Sequence, residues 1–456
     1  MPSHTHALRE LLGDRVVTDP QVAAAYAVDH YPQATVVPGE DFTLVRARSR
    51  EDVVTTLRYA AEHRVPGVPQ GARSSTTGSA CALPGAIVLS VEQMTSVHVD
   101  PVERIAVVGP GVINTDLKAA VAQHGLAYPP DPASSPMCSI GGNVATNAGG
   151  LCCVKYGVTA DYVRGLEVVL PGGEVMRTGR RTAKGVAGYD LPGLFVCSEG
   201  TLGVVTEAVL KLVPAGDPAL TVLAVFPTLA ATMAGVAALR EQRHTPSLGE
   251  LLDEPTIEAV QAYGDYGFPT GVGGVLLVQS DRPGHAAEDV QEYAAALTAA
   301  GATEVAVAED QAEADMLLEG RRALNPALEA RGDRFIEDVC VPVSRLGELV
   351  EAVQEIAARH GLDALSAGHA GDGNLHPCFF YDSSDPASVT AAEAAFDDLV
   401  RAAWALGGTL TGEHGVGEQK VPWLSEEIGD AAVERQRAVK ALFDPLGIMN
   451  PGRGIA

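Results

Sequence analysis

Two stretches of the chain concentrate the residue types that bind metals and move protons: LSAGHAGDGNLH at 365–376 and GEHGVGEQK at 412–420. A two-residue hairpin turn at Asp372-Gly373 would set His369 directly across from His376. Residues so opposed have Cβ atoms about 4.5–5.5 Å apart, close enough for two imidazole nitrogens to sit at roughly 2.0–2.1 Å from one metal ion. Two histidines alone are more often core or loop residues. Here Glu413 offers a third, anionic ligand, and His414 stands beside it. Three N/O ligands leave coordination positions open for a substrate, the pattern of a catalytic zinc site.

Two glycine-rich stretches offer a different chemistry. PQGARSSTTGS (69–79) surrounds two glycines with small and hydroxyl-bearing side chains, a composition whose backbone N–H groups can form an anion-binding nest. SIGGNVATNAGG (139–150), read as a second loop, lacks large side chains where a backbone would approach a ligand. Neither is GxGxxG, and with no GK dipeptide the Walker loop is excluded. Either alone reads as a tight turn; their combination with PPDP (129–132) and SEGTLG (198–203) favours a ligand.

The elements that must position these residues fall into two textures. Short β-rich runs dominate from about 43 to 213: TLVRAR (43–48), AIVLSV (86–91), RIAVVG (104–109), LEVVL (166–170) and VVTEAVLKLV (204–213), with helical patterns near 50–64 and 113–124. PGG at 171–173 has the composition of a hairpin turn. After a junction at Pro214, Gly216 and Pro218, strands near 221–226, 273–279 and 304–308 alternate with helices near 228–243 and 286–300. That pattern predicts a second α+β domain with helices on one sheet face.

The chain has 456 residues and a net charge of −26, which argues against nucleic acid as a partner, since such binders present basic surfaces. With 46% apolar residues it is built to fold rather than to stay disordered. The N-terminus lacks a secretory pattern, no apolar run is long enough for a membrane span, and the seven cysteines contain no CxxC pair. Reduced thiols and a cytoplasmic location are expected, with the vicinal Cys152 and Cys153 read as small side chains near packed backbone.

The segments PGV (110–112), YPPDPASS (128–135), SIGGNVATNAGG, KYGVTADYVRGLEVVLPGGEV (155–175) and AGYDLPGLFVCSEGTLGVVTEAVLKL (187–212) resemble the FAD-binding domain of the vanillyl-alcohol oxidase / p-cresol methylhydroxylase superfamily. More narrowly, they resemble the branch of D-lactate dehydrogenases, D-2-hydroxyglutarate dehydrogenases and the D subunit of glycolate oxidase. The resemblance implies an α+β fold: a PCMH-type FAD-binding domain over 1–214, a ferredoxin-like α+β cap over 215–411, and a C-terminal segment, 412–456, returning to the flavin. It assigns the FAD pyrophosphate to Gln70, Gly71, Ala72, Arg73, Ser74, Ser75 and Gly78. It gives further flavin contacts to Pro130, Asp131, Ser134, Ser139, Gly142, Asn143, Ala145, Asn147 and Gly150, the adenosine half to Gly200 and Val205, and the isoalloxazine vicinity to Asn450, and it counts Glu413 among the cofactor-binding residues. Arg73 stands where the family often has glycine. No histidine lies in 70–79, so the FAD is expected to be non-covalent.

The same branch carries HxxGDGNLH and GEHGxG motifs, which implies a divalent metal, zinc foremost, on His369, His376 and Glu413, with His414 as base and Asn374 in contact with the substrate or supporting the metal. GRRALNPAL (320–328) resembles the family segment that puts Arg321 on the substrate carboxylate. Together these imply oxidation of a D-2-hydroxy acid to the 2-oxo acid, with hydride passing to flavin N5, the metal polarising the hydroxyl and His414 taking the proton. The D-2-hydroxyglutarate branch has a lysine where this chain has Ile336, which favours a monocarboxylate, D-lactate or glycolate. The alternatives are D-2-hydroxyglutarate dehydrogenation, a flavin-dependent transferase like alkyl-glycerone-phosphate synthase, a flavin-free zinc hydrolase, or a cofactor-binding scaffold. Without cluster-binding cysteines, electrons are expected to leave for a separate quinone, electron-transfer flavoprotein or cytochrome. A homodimer is compatible with the sequence.

Overall fold

The computed structural model describes residues 4–31 and 42–455. They form two compact units: Met1–Gly149, Val158–Ala215 and Glu413–Ala456 make the first, and Gly150–Gly157 with Gly216–Gly412 the second.

The first unit holds a four-stranded sheet in the order Val16–Val17, Thr43–Arg46, Ile87–Ser90, Gly67–Gln70. Its last three strands are parallel, which demands crossover connections. Helix Arg50–His63 supplies one. It starts on a reciprocal cap in which Ser49 Oγ accepts the Asp52 N–H (3.2 Å) and Asp52 Oδ2 accepts the Ser49 N–H (3.1 Å). Val53, Leu57 and Ala60 on this helix share a core with Val45, Ile87 and Leu89. A five-stranded antiparallel sheet follows, ordered Val97–Asp100, Ile105–Val108, Val204–Lys211, Val163–Val169, Val175–Gly179. The expected turn at 171–173 joins its last two strands, closed by Gly173 N–H on Leu170 O (2.8 Å) with Gly173 at φ +79°. The chain's end returns to the first sheet, where Gly67 N–H donates to Ile448 O (2.7 Å) and Asn450 N–H to Gly67 O (2.8 Å).

The stretch 139–150 is not the loop expected from its glycines: Ile140–Thr146 is a short helix. Ser139 Oγ caps it by accepting the Gly142 N–H (3.3 Å). The glycines serve packing, since a Cβ at Gly141 would lie 2.6 Å from Pro110 Cβ and one at Gly71 would lie 2.3 Å from Ser139 Oγ. Sequence texture cannot separate a glycine that permits a turn from one that lets a helix press on a neighbouring loop.

The second unit is built on one sheet, ordered Glu304–Val307, Leu220–Phe226, Gly274–Ser280, Leu248–Asp253, Asp363–His369, Asn374–Phe380, Arg334–Ile336, with Val339–Cys340 also on Asn374–Phe380. Each pairing is antiparallel. In chain order the first four strands lie 4-1-3-2, the ferredoxin-like arrangement, and the remainder extend it. Helices cover both faces rather than one. Ile257, Val260, Leu324 and Leu328 pack with Leu252, Leu277 and Leu365, while on the other face a Cβ at Gly235 would lie 2.5 Å from Phe226 and 3.1 Å from Leu276. The strand Gly274–Ser280 is accordingly buried at all seven positions, as a strand covered on both faces must be. Among the described residues, no helix is long and apolar enough to cross a membrane.

Candidate active site

His369 ends the strand Asp363–His369, and His376 lies near the start of Asn374–Phe380. The register differs from the expectation. His369 pairs with Asn374 and His376 with Ala367, so the loop between the strands has four residues, Ala370–Gly373, rather than two. Gly373, at φ +86°, donates its N–H to His369 O (3.0 Å), and a Cβ there would lie 2.1 Å from Val341 O. The two histidines are diagonal neighbours on one face, and diagonal Cβ atoms about 7–8 Å apart remain within reach of long side chains. Their rings meet at 81° with Nε2 atoms 3.4 Å apart. Two nitrogens bound tetrahedrally at about 2.05 Å from one ion would be about 3.3 Å apart, so this spacing fits a shared metal.

Behind each histidine lies a carboxylate fully removed from water. Glu250, on the strand Leu248–Asp253, stands opposite His369 in the register. Its Oε1 is 2.5 Å from His369 Nδ1, and its Oε2 accepts the Arg321 Nε–H (2.7 Å). Burial pushes the Glu250 carboxyl pKa up, but the neighbouring His369 and Arg321 outweigh it and hold the group below the usual carboxylate range. Arg321 comes from the short helix Glu319–Arg322. On the other side, Asp338 Oδ1 lies 3.8 Å from His376 Nδ1 and accepts the Asn374 amide (2.8 Å). Asp338 Oδ2 accepts Thr411 Oγ1–H and Gly412 N–H (both 2.8 Å), which fixes the chain immediately before Glu413. Asn374 gives its second amide proton to Val339 O (3.0 Å), so both its donors support Asp338 and the neighbouring backbone. Sequence reasoning missed Glu250 and Asp338 as functional groups. For Glu250 the available signal was an acid inside the apolar run LGELLD, where an unpaired charge would be costly.

The first unit gathers the glycine-rich stretches. Gln70 Nε2 donates to Tyr26 O (2.9 Å) and Ala80 O (2.6 Å), clasping the loop 70–80, while its buried Oε1 has no partner. Ala72 N–H donates to Ser139 Oγ (3.2 Å), joining the first loop to the cap of the second stretch. Arg73 sits at φ +61°, its guanidinium 4.0 Å from the centre of the Tyr26 ring and 3.5 Å from Glu92. That backbone conformation favours glycine. Ser74 and Gly78 lie in the same loop, where Ser75 Oγ bonds with Ser79 Oγ at 2.9 Å. Pro130 O and Asn143 Oδ1 both accept from Asn114 Nδ2 (3.2 and 3.0 Å), and Ser134 O accepts the Met137 and Cys138 N–H groups. Asp131 follows Pro130, and Ala145 lies on the helix that Asn147 ends at φ +54°. A Cβ at Gly200 would lie 3.1 Å from Pro69, and Val205 pairs with Val168 in the five-stranded sheet.

Asn450 donates to Ser79 O (2.9 Å) and Glu199 O (2.8 Å), and Glu199 accepts the N–H groups of Val416 (2.9 Å) and Gly417 (2.8 Å). That fastens the EHGVG stretch, 413–417, within this unit, with His414 Nδ1 3.4 Å from Thr76 Oγ1. Glu413 and His414 open the last stretch of the first unit, whereas Gly150, His369 and His376 are assigned to the second. An orphaned acceptor in a loop rich in backbone N–H groups and small side chains fits a cofactor carrying phosphates and polar donors.

Comparison with known proteins bears on these features directly. A family profile described as an FAD binding domain matches residues 43–179, and one described as the C-terminal domain of FAD linked oxidases matches 218–453; the first indicates FAD as cofactor. The chain is 40% identical over 434 residues to the glycolate oxidase subunit GlcD of Bacillus subtilis, covering 94% of this chain and 92% of that one. It is 32% identical to a D-lactate dehydrogenase of Anaerostipes hadrus, covering 99% and 97%. Among solved structures, p-cresol methylhydroxylase with substrate bound matches with TM-score 0.81 at 19% identity, over 99% of this chain and 96% of that one, a likeness of fold.

Proposed function

The chain belongs to the family of FAD-linked oxidases, and from that premise we propose that it oxidises a small D-2-hydroxy monocarboxylic acid, D-lactate or glycolate, to the 2-oxo acid. The observation that carries this reading is the pair of histidine Nε2 atoms 3.4 Å apart, joined through Glu250 to the guanidinium of Arg321. The names of the relatives, glycolate oxidase subunit and D-lactate dehydrogenase, support the same substrate class.

FAD, held non-covalently by the loops of the first unit, supplies the hydride acceptor. A divalent metal held by His369, His376 and Glu413, zinc foremost, would act as Lewis acid toward the substrate hydroxyl. Arg321 orients the substrate carboxylate with the NH groups that Glu250 does not engage. His414, whose Nδ1 lies 3.4 Å from Thr76 Oγ1, takes the hydroxyl proton. Ile336 lies across from Cys378 on the sheet face that carries His376 and packs with the apolar cluster there. It offers nothing to a second carboxylate, which supports a monocarboxylate over D-2-hydroxyglutarate. Electrons then pass to a separate acceptor, a quinone, electron-transfer flavoprotein or cytochrome.

The test is the visible spectrum of the purified flavoprotein under anaerobic conditions, with D-lactate, L-lactate, glycolate and D-2-hydroxyglutarate added before and after chelation. Bleaching by D-lactate or glycolate, abolished by chelation and restored by zinc, is expected. A flavin reduced best by D-2-hydroxyglutarate would overturn the substrate assignment, and one that stays oxidised throughout would overturn the activity.

A further inference from the structure

We propose that Glu250 is a positioning residue that orients the metal ligand His369 and the substrate-binding Arg321 at once, one carboxylate oxygen to each. This rests on the metal and substrate roles given to those two residues above. Glu250 is fully buried, and a carboxylate there is tolerable only if both oxygens are paired. They are divided, with Oε1 on His369 Nδ1 and Oε2 on Arg321 Nε.

Each contact has a directional consequence. An ionised carboxylate can only accept, so its contact with Nδ1 keeps the imidazole proton there and turns the Nε2 lone pair toward the facing Nε2 of His376. Toward Arg321, Glu250 engages Nε rather than the terminal fork, so the two terminal NH2 groups keep the planar geometry that meets a carboxylate in a bidentate pair. Metal and substrate carboxylate are thus referenced to the same fixed group. The distance between the two binding points is set by the strand Leu248–Asp253, with Gly249 and Leu251 on either side of Glu250 locked into the sheet by pairing with Val278 and Leu276. A buried ion pair by itself is weak evidence of a stabilising role. What distinguishes this one is that its two partners carry two different ligands.

The experiment uses the full-length flavoprotein and three readouts: the zinc dissociation constant of metal-stripped protein by competition with a chromophoric chelator, the KM for D-lactate, and thermal stability. Glu250→Gln retains the shape but has one acceptor and one donor where two acceptors are needed. We expect it to weaken zinc binding by about 10–100-fold and to raise KM. Arg321→Gln is expected to raise KM while leaving zinc affinity unchanged, because the contact from Glu250 to His369 survives. Loss of thermal stability in Glu250→Gln with wild-type zinc affinity and KM in the folded fraction would overturn the proposal and reduce Glu250 to a structural ion pair. Wild-type protein that binds no zinc would overturn the metal reading itself, a different result. Should Glu250→Gln not fold, the 15N resonances of His369 in zinc-loaded wild type decide: a protonated Nδ1 with metal on Nε2 is expected, and zinc on Nδ1 overturns the proposal.

Discussion

At Arg73 the backbone is at φ +61°, a conformation that costs a residue with a Cβ about 1–2 kcal/mol. The stacking of its guanidinium on Tyr26 at 4.0 Å offsets part of that, a cation–π contact being worth about 0.5–2 kcal/mol. Arg73→Ala keeps the strain and loses the stacking, whereas Arg73→Gly loses both. Chemical denaturation should therefore find the glycine variant close to wild type and the alanine variant less stable by about 1 kcal/mol; an alanine variant at least as stable as the glycine one would refute this account. The sequence exposed Arg73 only as a departure from a glycine pattern. The histidines were legible because their motif is local: six residues separate His369 from His376, and the hairpin does the rest. Glu250 was not, because it lies 119 positions from His369 and 71 from Arg321. Only the pairing of strands brings it into contact.

Elements show the same division between local and long-range information. Strand texture between about 43 and 213 and the helices at Arg50–His63 and Asn114–Ala122 could be read from periodicity. The hairpin after His369 was misread by two residues in register, yet its two histidines still share a face, because side chains alternate with a period of two and a shift of two in the pairing preserves facing. Asp253 ends the strand that carries Glu250 and caps helix Glu254–Tyr263, its Oδ1 accepting the Thr256 N–H (2.9 Å). Its other oxygen is buried without a partner, and burial raises its pKa to about 6. An unfolded aspartate titrates near 3.8, so between those values the native state holds a proton that the unfolded chain has released. The stability tied to that proton is present below pH 3.8 and is lost as pH rises through about 6. Asp253→Asn keeps the capping oxygen and supplies the donor without titrating. In urea unfolding it should match wild type at acid pH and exceed it by up to roughly 3 kcal/mol at pH 8; a constant difference across that range would show that Asp253 does not titrate as described.

On the scale of the whole chain, the first unit is assembled from three separated stretches, and the last of them closes it. Gly67 exchanges backbone hydrogen bonds with Ile448 and Asn450, Asn450 spans from Ser79 to Glu199, and the guanidinium of the buried Arg453 reaches Cys81 O. The sequence announced this return only through NPG at 450–452 and the family pattern around it; nothing local to FDPLGIMNPGRG says which strand it meets. Ile448 and Met449 are 3% and 0% exposed, and burying two such side chains contributes about 3–6 kcal/mol. Deleting 447–456 forfeits that and leaves Gly67, Ser79, Cys81 and Glu199 without partners they now have. Set against a stability of about 5–15 kcal/mol for a whole domain, the loss is enough to open the loop 70–80 that Gln70 clasps. The truncated protein should purify without stoichiometric FAD and lose its flavin absorbance. The substitution Asn450→Ala, which removes the two bonds to Ser79 and Glu199 but not the apolar contacts, should retain FAD with weakened affinity. Full FAD content in the truncated chain would mean that the first unit closes without its C-terminal stretch, and that the conformation of the loop around Gly71 is set within residues 43–215 alone.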